Sequence, residues 1–297
     1  MTDPLQCDVA FIGHYTKDTI VYPDHEMVQD GGAYRFGAHV AVAMGLRAAV
    51  VTHLAREDRR ATAELEAIGV RVVVHESPHS TCLRIVYPND NPDMRSIYLT
   101  SQAEPFSVAD VAGVQARAYH IGASVRGEVP AEVVRHLAGR GALVSLDAQG
   151  YTRVAEGCEL RADPWAASAE VLPWVSVFKV DAGEAEAITG EADIHAAIRR
   201  LAGLGPREVL LTHRGGVLVW AEGHTCEAPF AARSLAGRTG RGDTCTGAYV
   251  SRRLLGGSPE EACTWAAAVT SLKIEQPGPF RRPIAEVEAL ICDKYAQ

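Results

Sequence analysis

The run Thr239-Gly240-Arg241-Gly242-Asp243 combines two properties that chemistry on an anion needs. Its glycines let backbone N–H groups converge on a negatively charged ligand, and a helix starting there adds the positive end of its dipole. A carboxylate beside such an anion hole repels bound phosphate, so phosphate binding alone does not explain Asp243. A base that takes a proton from an attacking hydroxyl does explain it. The competing reading is that Asp243 only caps its helix, and these residues alone leave both open.

Other polar residues fall at strand ends or turns. Asp18 closes the segment Gly13-His-Tyr-Thr-Lys-Asp18 after the strand-like Val9 to Ile12. A carboxylate there can accept hydrogen bonds from two neighbouring hydroxyls of a polyol, or sit solvated beside Lys17. Gly31-Gly32 precedes the helix-like Ala33 to Leu46 and by itself marks a turn. His39 inside that helix is either a donor to a ligand or a packed helix residue. In Lys179-Val180-Asp181-Ala-Gly-Glu184 the acidic pair suits Mg²⁺, which takes oxygen ligands. An N-cap Asp181 with Glu184 in the first turn accounts for the same pattern. Thr212 ends the strand-like Glu208 to Thr212 before His213-Arg214-Gly215-Gly216, and Asp147 ends another before Ala-Gln-Gly150.

Two further strings are excluded. His75-Glu76-Ser77-Pro78-His79 spells a zinc-protease pattern, but that chemistry needs both histidines on one helix face, and Val72 to Val74 reads as strand while Pro78 disfavours helix at Ser77. Arg241-Gly242-Asp243 spells an adhesion tripeptide, yet it runs into a helix. The dinucleotide fingerprint is missing after the first strand, and so is a Walker-type loop.

These residues must be held by alternating elements. Val9 to Ile12, Ala49 to Val51, Val70 to Val74, Ala142 to Asp147, Val175 to Val180 and Glu208 to Thr212 read as strands. Phe36 to Leu46, Ala131 to Gly139 and Ile194 to Leu204 have helical spacing. That alternation predicts βαβ units and a largely parallel, buried sheet, an α/β fold. Thr81 to Thr100 differs: Leu83 to Tyr87 and Ser96 to Leu99 flank Pro88-Asn-Asp-Asn-Pro-Asp93, whose residues favour a hairpin turn. With Thr19 to Tyr22 it predicts a small sheet suited to a lid. Asp243 is placed at the start of a helix ended by Gly256-Gly257, and Ser258-Pro259-Glu260-Glu261 reads as a capping box opening another helix that runs until Pro277.

The 297 residues, 47% hydrophobic, suffice for one large core or two modest ones, and the net charge of −8 argues against nucleic acid or anionic membrane as partner. The start Met1-Thr-Asp-Pro-Leu-Gln has no secretory pattern and no apolar run is of membrane-spanning length, so the expected location is cytoplasmic. Seven dispersed cysteines without Cys-x-x-Cys pairs predict free, mostly buried thiols.

Thr239-Gly-Arg-Gly-Asp-Thr-Cys-Thr-Gly247 resembles the C-terminal signature of ribokinase-like (PfkB) carbohydrate kinases. The resemblance extends over nearly the whole chain and implies a ribokinase-like three-layer sandwich, a single domain over residues 1–297 with a small β lid formed by about 14–36 and 80–102. It implies Asp243 as catalytic base beside the Gly240, Arg241 and Gly242 backbone, and substrate contacts from Asp18, Gly31, Gly32 and His39. It further implies phosphate or nucleotide contacts from Thr212, Gly215, Thr239 and Gly240, and Mg²⁺ near Asp181 and Glu184. This chain departs from the family pattern at five positions: Arg241 stands where Ala is usual, Gly237 where Asp is usual, His39 where Asn is common, Asp181 where Asn is usual, and Arg214 where Gly is usual, in a turn one residue shorter. The change at Gly237 removes a carboxylate that orients the loop or a cation, which puts monovalent-cation activation in question.

The expected activity is transfer of the γ-phosphoryl group of ATP, with Mg²⁺, to a hydroxyl of a small polyol. Gly237-Arg-Thr-Gly-Arg-Gly-Asp243 and Gly31-Gly-Ala-Tyr34 look most like the inositol-kinase branch, which implies a cyclitol such as myo-inositol, or a sugar; a nucleoside is the runner-up. A non-catalytic sugar or nucleotide sensor is the alternative class, but a pure binder needs no base. Relatives often dimerise through their lid sheets, so a homodimer through the lid is a further expectation.

Overall fold

The computed structural model describes residues 4–89 and 94–295. Fifteen strands are present among them: β1 (Leu5–Ile12), β2 (Thr16–Val21), β3 (Glu26–Gly31), β4 (Ala48–Leu54), β5 (Arg71–Glu76), β6 (Thr81–Val86), β7 (Ser96–Ser101), β8 (Val114–Ile121), β9 (Leu143–Asp147), β10 (Arg153–Glu156), β11 (Glu159–Ala162), β12 (Val177–Asp181), β13 (Glu208–Thr212), β14 (Gly216–Ala221) and β15 (His224–Pro229). The larger sheet has the order β15-β14-β13-β12-β9-β8-β1-β4-β5. From β5 to β13 every pairing is parallel, and β14 and β15 add an antiparallel edge.

Period-2 alternation sends neighbouring side chains to opposite faces of this sheet. Ala10, Ile12, Val144, Leu146, Phe178 and Val180 join one core, with residues of the helices Ala131–Ala138 and Ile194–Ala202. Their neighbours Val9, Phe11, Val50 and Val177 join the cores on the other face, under the helices Ala33–Ala43, Arg241–Leu254 and Pro259–Ile274. Each strand therefore reads as a continuous apolar run because both faces are covered. The result is the helix–sheet–helix sandwich expected from the sequence: β1, β4, β5, β9, β12 and β13 fall where the periodicity puts strands, while β8, β14 and β15 are additions. No helix among the described residues is long and apolar enough to cross a membrane.

The smaller sheet has the order β10-β11-β7-β6-β2-β3. β2, β6 and β7 match the strands expected there; β3 lies within the expected segment 14–36 but was not read as a strand, and the β10–β11 hairpin is an addition. Of the expected hairpin turn, residues 90–93 lie outside the described residues. All seven cysteines are free, but Cys158 and Cys292 are exposed, contrary to the expectation of mostly buried thiols. His75 and Glu76 lie in β5, which removes the helical geometry a zinc protease needs.

Candidate active site

In a parallel sheet, ligands gather beyond the carboxyl ends of the strands. A cavity of about 440 Å³ lies there, lined by Ser124, Gln149, Asp181 and Thr212 at or just beyond the ends of β8, β9, β12 and β13. The small sheet covers it with Ile20, Leu83, Ile85 and Ile97, and the Thr239–Asp243 loop closes another side.

Gly240 is the N-cap of the helix Arg241–Leu254, with φ 76°. A side chain there would be strained, and its Cβ would lie 2.2 Å from the Phe36 ring, so both backbone and space demand glycine. The Arg241 amide donates to the Arg238 carbonyl at 3.2 Å. Among the described residues the amides of Gly240, Gly242 and Asp243 have no backbone acceptor, so three free donors form the anion hole. Asp243 stands at the third helical position. Burial, and next the charge of Asp147, push its carboxyl up to about 7, against the pull of Lys179, Arg153 and Lys273. A carboxylate so poised takes up a proton far better than an ordinary aspartate at neutral pH.

Across the cavity, Asp18 sits in β2, only 8% exposed, and its Oδ1 has no hydrogen-bond partner. Burial raises its pKa to about 6. Gly31 makes this possible: a Cβ at that position would lie 2.3 Å from Thr16 Oγ1 and 2.5 Å from Asp18 Oδ2. Gly32, with φ 111°, starts the helix Ala33–Ala43 and also lines the cavity. A buried carboxylate oxygen left unpaired is costly unless a ligand hydroxyl satisfies it.

The other expected site residues divide. Thr212, Thr239, Arg241 and Gly242 line the cavity; His39 and Gly215 do not. His39 takes the packed-helix alternative, with Nδ1 2.8 Å from the Arg35 carbonyl and Nε2 3.1 Å from Glu64. Gly215 is an exposed residue of the β13–β14 turn. Asp181 and Glu184 form a reciprocal capping box: Asp181 Oδ1 accepts from the Glu184 amide at 2.8 Å and Glu184 Oε2 from the Asp181 amide at 2.7 Å. Glu184 lies off the main cavity, against a smaller one of about 230 Å³. Burial lifts its pKa to about 7 even with Lys179 nearby. Among the described residues no group of three or more His, Cys, Asp or Glu is arranged to hold a metal.

Among the cavity residues that the sequence did not single out, two carry buried charge. Lys179, 5% exposed, points from β12 to Asp147 at 3.0 Å and Glu184 at 3.8 Å. Burial alone would lower its pKa, but the surrounding carboxylates, Asp147 foremost, hold it above the ordinary lysine value. A Cβ on Gly242 would lie 3.0 Å from its Nζ, which puts this ammonium against the anion hole. Arg153 enters from β10. The signal for Lys179 was a lysine inside an apolar strand, where an unpaired charge is not tolerated. Arg153 gave none.

The pfkB family carbohydrate kinase model matches residues 7–283. The chain belongs to the PfkB family. Among solved structures it resembles a pyrophosphate-dependent kinase in the ribokinase family complexed with a pyrophosphate analog and myo-inositol, at 37% identity over 95% of this chain and 99% of that one, TM-score 0.87. A pyrophosphate-dependent myo-inositol-1 kinase converted by two substitutions into a myo-inositol-3 kinase matches equally, at 37% identity over 97% and 100% of the two chains, TM-score 0.87. An Arabidopsis thaliana ribokinase complexed with ribose and ATP shares the fold at 19% identity over 98% and 99%, TM-score 0.75. No curated protein sequence matches. As a PfkB carbohydrate kinase the protein is a phosphotransferase acting on a hydroxyl group.

Proposed function

We propose that this PfkB kinase phosphorylates a hydroxyl of myo-inositol or a closely related cyclitol, with pyrophosphate as donor and Asp243 as base. The observation that carries the reading is one cavity holding an unpartnered buried carboxylate oxygen on Asp18 and, by the anion hole, an aspartate raised to about 7. Asp18 accepts hydrogen bonds from acceptor hydroxyls. Asp243 takes the proton of the hydroxyl that attacks the terminal phosphorus; the new O–P bond forms as the bridging P–O bond breaks, giving a cyclitol phosphate and inorganic phosphate. Amides of Gly240, Gly242 and Asp243, with Lys179 and Arg153, hold the charge that develops on the phosphates. The small sheet serves as lid, its Ile20, Leu83, Ile85 and Ile97 keeping water from the acceptor.

Two observations favour pyrophosphate over the ATP implied by the family resemblance. The lining has six basic residues (Arg35, Arg95, Arg153, Lys179, Arg238, Arg241) against four aspartates, in a chain of net charge −8. Its apolar and aromatic residues are Ile20, Leu83, Ile85, Tyr87 and Ile97 on the small-sheet side, with Ala33 and Phe36, while Lys179, Thr212, Thr239 and Arg241 surround the donor side. A purine needs an apolar slot; a compact polyanion does not. The structures 37% identical to this chain are also described as pyrophosphate-dependent. Mg²⁺ fits in part: Asp181 lines the cavity and only its Oδ1 is used in capping, whereas Glu184 is committed to the Asp181 amide. Asp181 would hold such an ion through its remaining carboxylate oxygen, and the ion would supply neutralisation of phosphate charge.

Incubation with myo-inositol, ribose or adenosine, and either pyrophosphate or ATP, tests both choices by chromatography of the phosphorylated product. Product from pyrophosphate and myo-inositol is expected. Turnover confined to ATP would restore the nucleotide reading, and turnover confined to ribose or adenosine would remove the cyclitol.

A further inference from the structure

Lys273 is a charged residue that the reaction described above leaves without a role. It lies near the end of the helix Pro259–Ile274, 3% exposed, and does not line the cavity. No carboxylate of the described residues lies within ion-pair distance. A buried ammonium must find compensation. Lys273 finds it in main-chain carbonyls of the anion-hole loop: Nζ donates to the Gly237 carbonyl at 2.5 Å and to the Thr239 carbonyl, and it sits 5.2 Å over the Phe36 ring. Coordination by carbonyl oxygens and an aromatic face is what a bound monovalent cation receives.

The loop is built around this contact. The Gly237 amide donates to the Ile274 carbonyl at 2.8 Å, and a Cβ on Gly237 would lie 1.8 Å from the Gln276 carbonyl oxygen. Only glycine lets the loop come that close to residues 276 and 277, and an aspartate there would be excluded. In a trans peptide the C=O and N–H point in opposite directions. Fixing the Thr239 carbonyl on Lys273 therefore turns the Gly240 N–H away from the ammonium, and that amide is one of the three free donors of the anion hole.

We propose that Lys273 is a resident cation that positions the anion-hole loop, making the enzyme independent of any exchangeable monovalent ion. It is a positioning residue: it acts on phosphate through the Thr239–Gly240 peptide. The charged group facing it is Asp243, which favours its protonated form, while burial, the larger effect, lowers its pKa to about 8. The inference rests on the anion-hole reading of Gly240 to Asp243.

The test compares the full-length protein with Lys273→Ala, reading pyrophosphate binding and myo-inositol binding by calorimetry, turnover, melting temperature and the amide resonances of residues 237–243. Wild-type turnover should be equal within about twofold in potassium, sodium and choline chloride. Lys273→Ala should lose about 10²-fold or more in turnover, the scale of a lost oxyanion donor. Pyrophosphate binding should weaken while myo-inositol binding stays within about threefold, and n-propylammonium, which replaces the deleted atoms, should restore turnover at least tenfold. Wild-type dependence on a small cation would overturn the proposal without any variant. So would full pyrophosphate binding by Lys273→Ala, or loss of both ligands with a lowered melting temperature and no rescue. If wild type binds no pyrophosphate, the donor reading falls; the loop resonances still decide Lys273, by shifting in the variant and returning with n-propylammonium, or by failing to move.

Discussion

The raised pKa of Asp243 makes the pH profile the most informative perturbation of this site. At about 7, against 3.8 for the ordinary group, the base is protonated through the acid range. The ionised fraction then rises about tenfold between pH 6 and pH 8, and kcat/KM should follow. Pyrophosphate itself titrates near neutrality, so the wild-type profile alone does not assign the limb. Asp147→Asn does. It removes the like charge that lifts Asp243 and frees Lys179, whose ammonium Asp147 holds at 3.0 Å, to favour the Asp243 carboxylate. Both changes lower the pKa, so the acid limb should move to lower pH while the titration of the donor stays fixed. Asp243→Asn should lose turnover by about 10²- to 10⁴-fold, the usual worth of a general base. Its pyrophosphate affinity should hold or improve, because a negative charge beside the phosphates has gone. The assay is initial rate against pH for the three proteins. An Asp147→Asn limb superimposed on wild type, or an Asp243→Asn enzyme with more than about a tenth of wild-type turnover, would refute the assignment.

Two further outcomes follow from the same geometry. Asp18 has its folded pKa raised to about 6, so the folded state binds the extra proton and stability falls as pH rises from about 4 to about 6. Asp18→Asn should flatten that part of a melting-temperature profile, stabilise the protein at pH 7, and raise KM for myo-inositol far more than for pyrophosphate; unchanged acceptor KM would remove Asp18 from the acceptor site. Gly240→Ala forces a Cβ into the Phe36 ring at φ 76° and should cost about 1–3 kcal/mol of stability together with most turnover, measured by urea denaturation and rate; near-normal values would mean that the loop tolerates rearrangement.

What was legible in the sequence was what local chemistry dictates. The strands β1, β4, β9, β12 and β13 were readable because a sheet covered on both faces needs uninterrupted apolar runs, and Ser258 to Glu261 because a capping box is a local pattern. Asp243 was readable as a residue of a helix start after a Gly-rich turn, which is where Gly240 caps the helix Arg241–Leu254; those residues alone left base and cap both open. The β10–β11 hairpin was not: its two four-residue strands, Arg153–Glu156 and Glu159–Ala162, carry charges on both and owe their conformation to pairing with each other and with β7. Arg153, which reaches the cavity from that hairpin, was hidden with it. Lys179 and Lys273 stood in apolar elements as visible anomalies, but their partners, Asp147 and the Gly237 and Thr239 carbonyls, lie 32, 36 and 34 residues away, and only the folded chain identifies them. At Asp181 and Glu184 sequence left metal ligation and helix capping both open, and the side chains make the capping bonds.

Phosphorus NMR of the purified protein with pyrophosphate, Mg²⁺ and myo-inositol tests the central claim most directly. Loss of the pyrophosphate signal with equal appearance of a phosphomonoester coupled to a ring proton of the cyclitol is expected, and no ester with Asp243→Asn. Conversion of pyrophosphate to inorganic phosphate alone, or an ester still formed by Asp243→Asn at the wild-type rate, would contradict it.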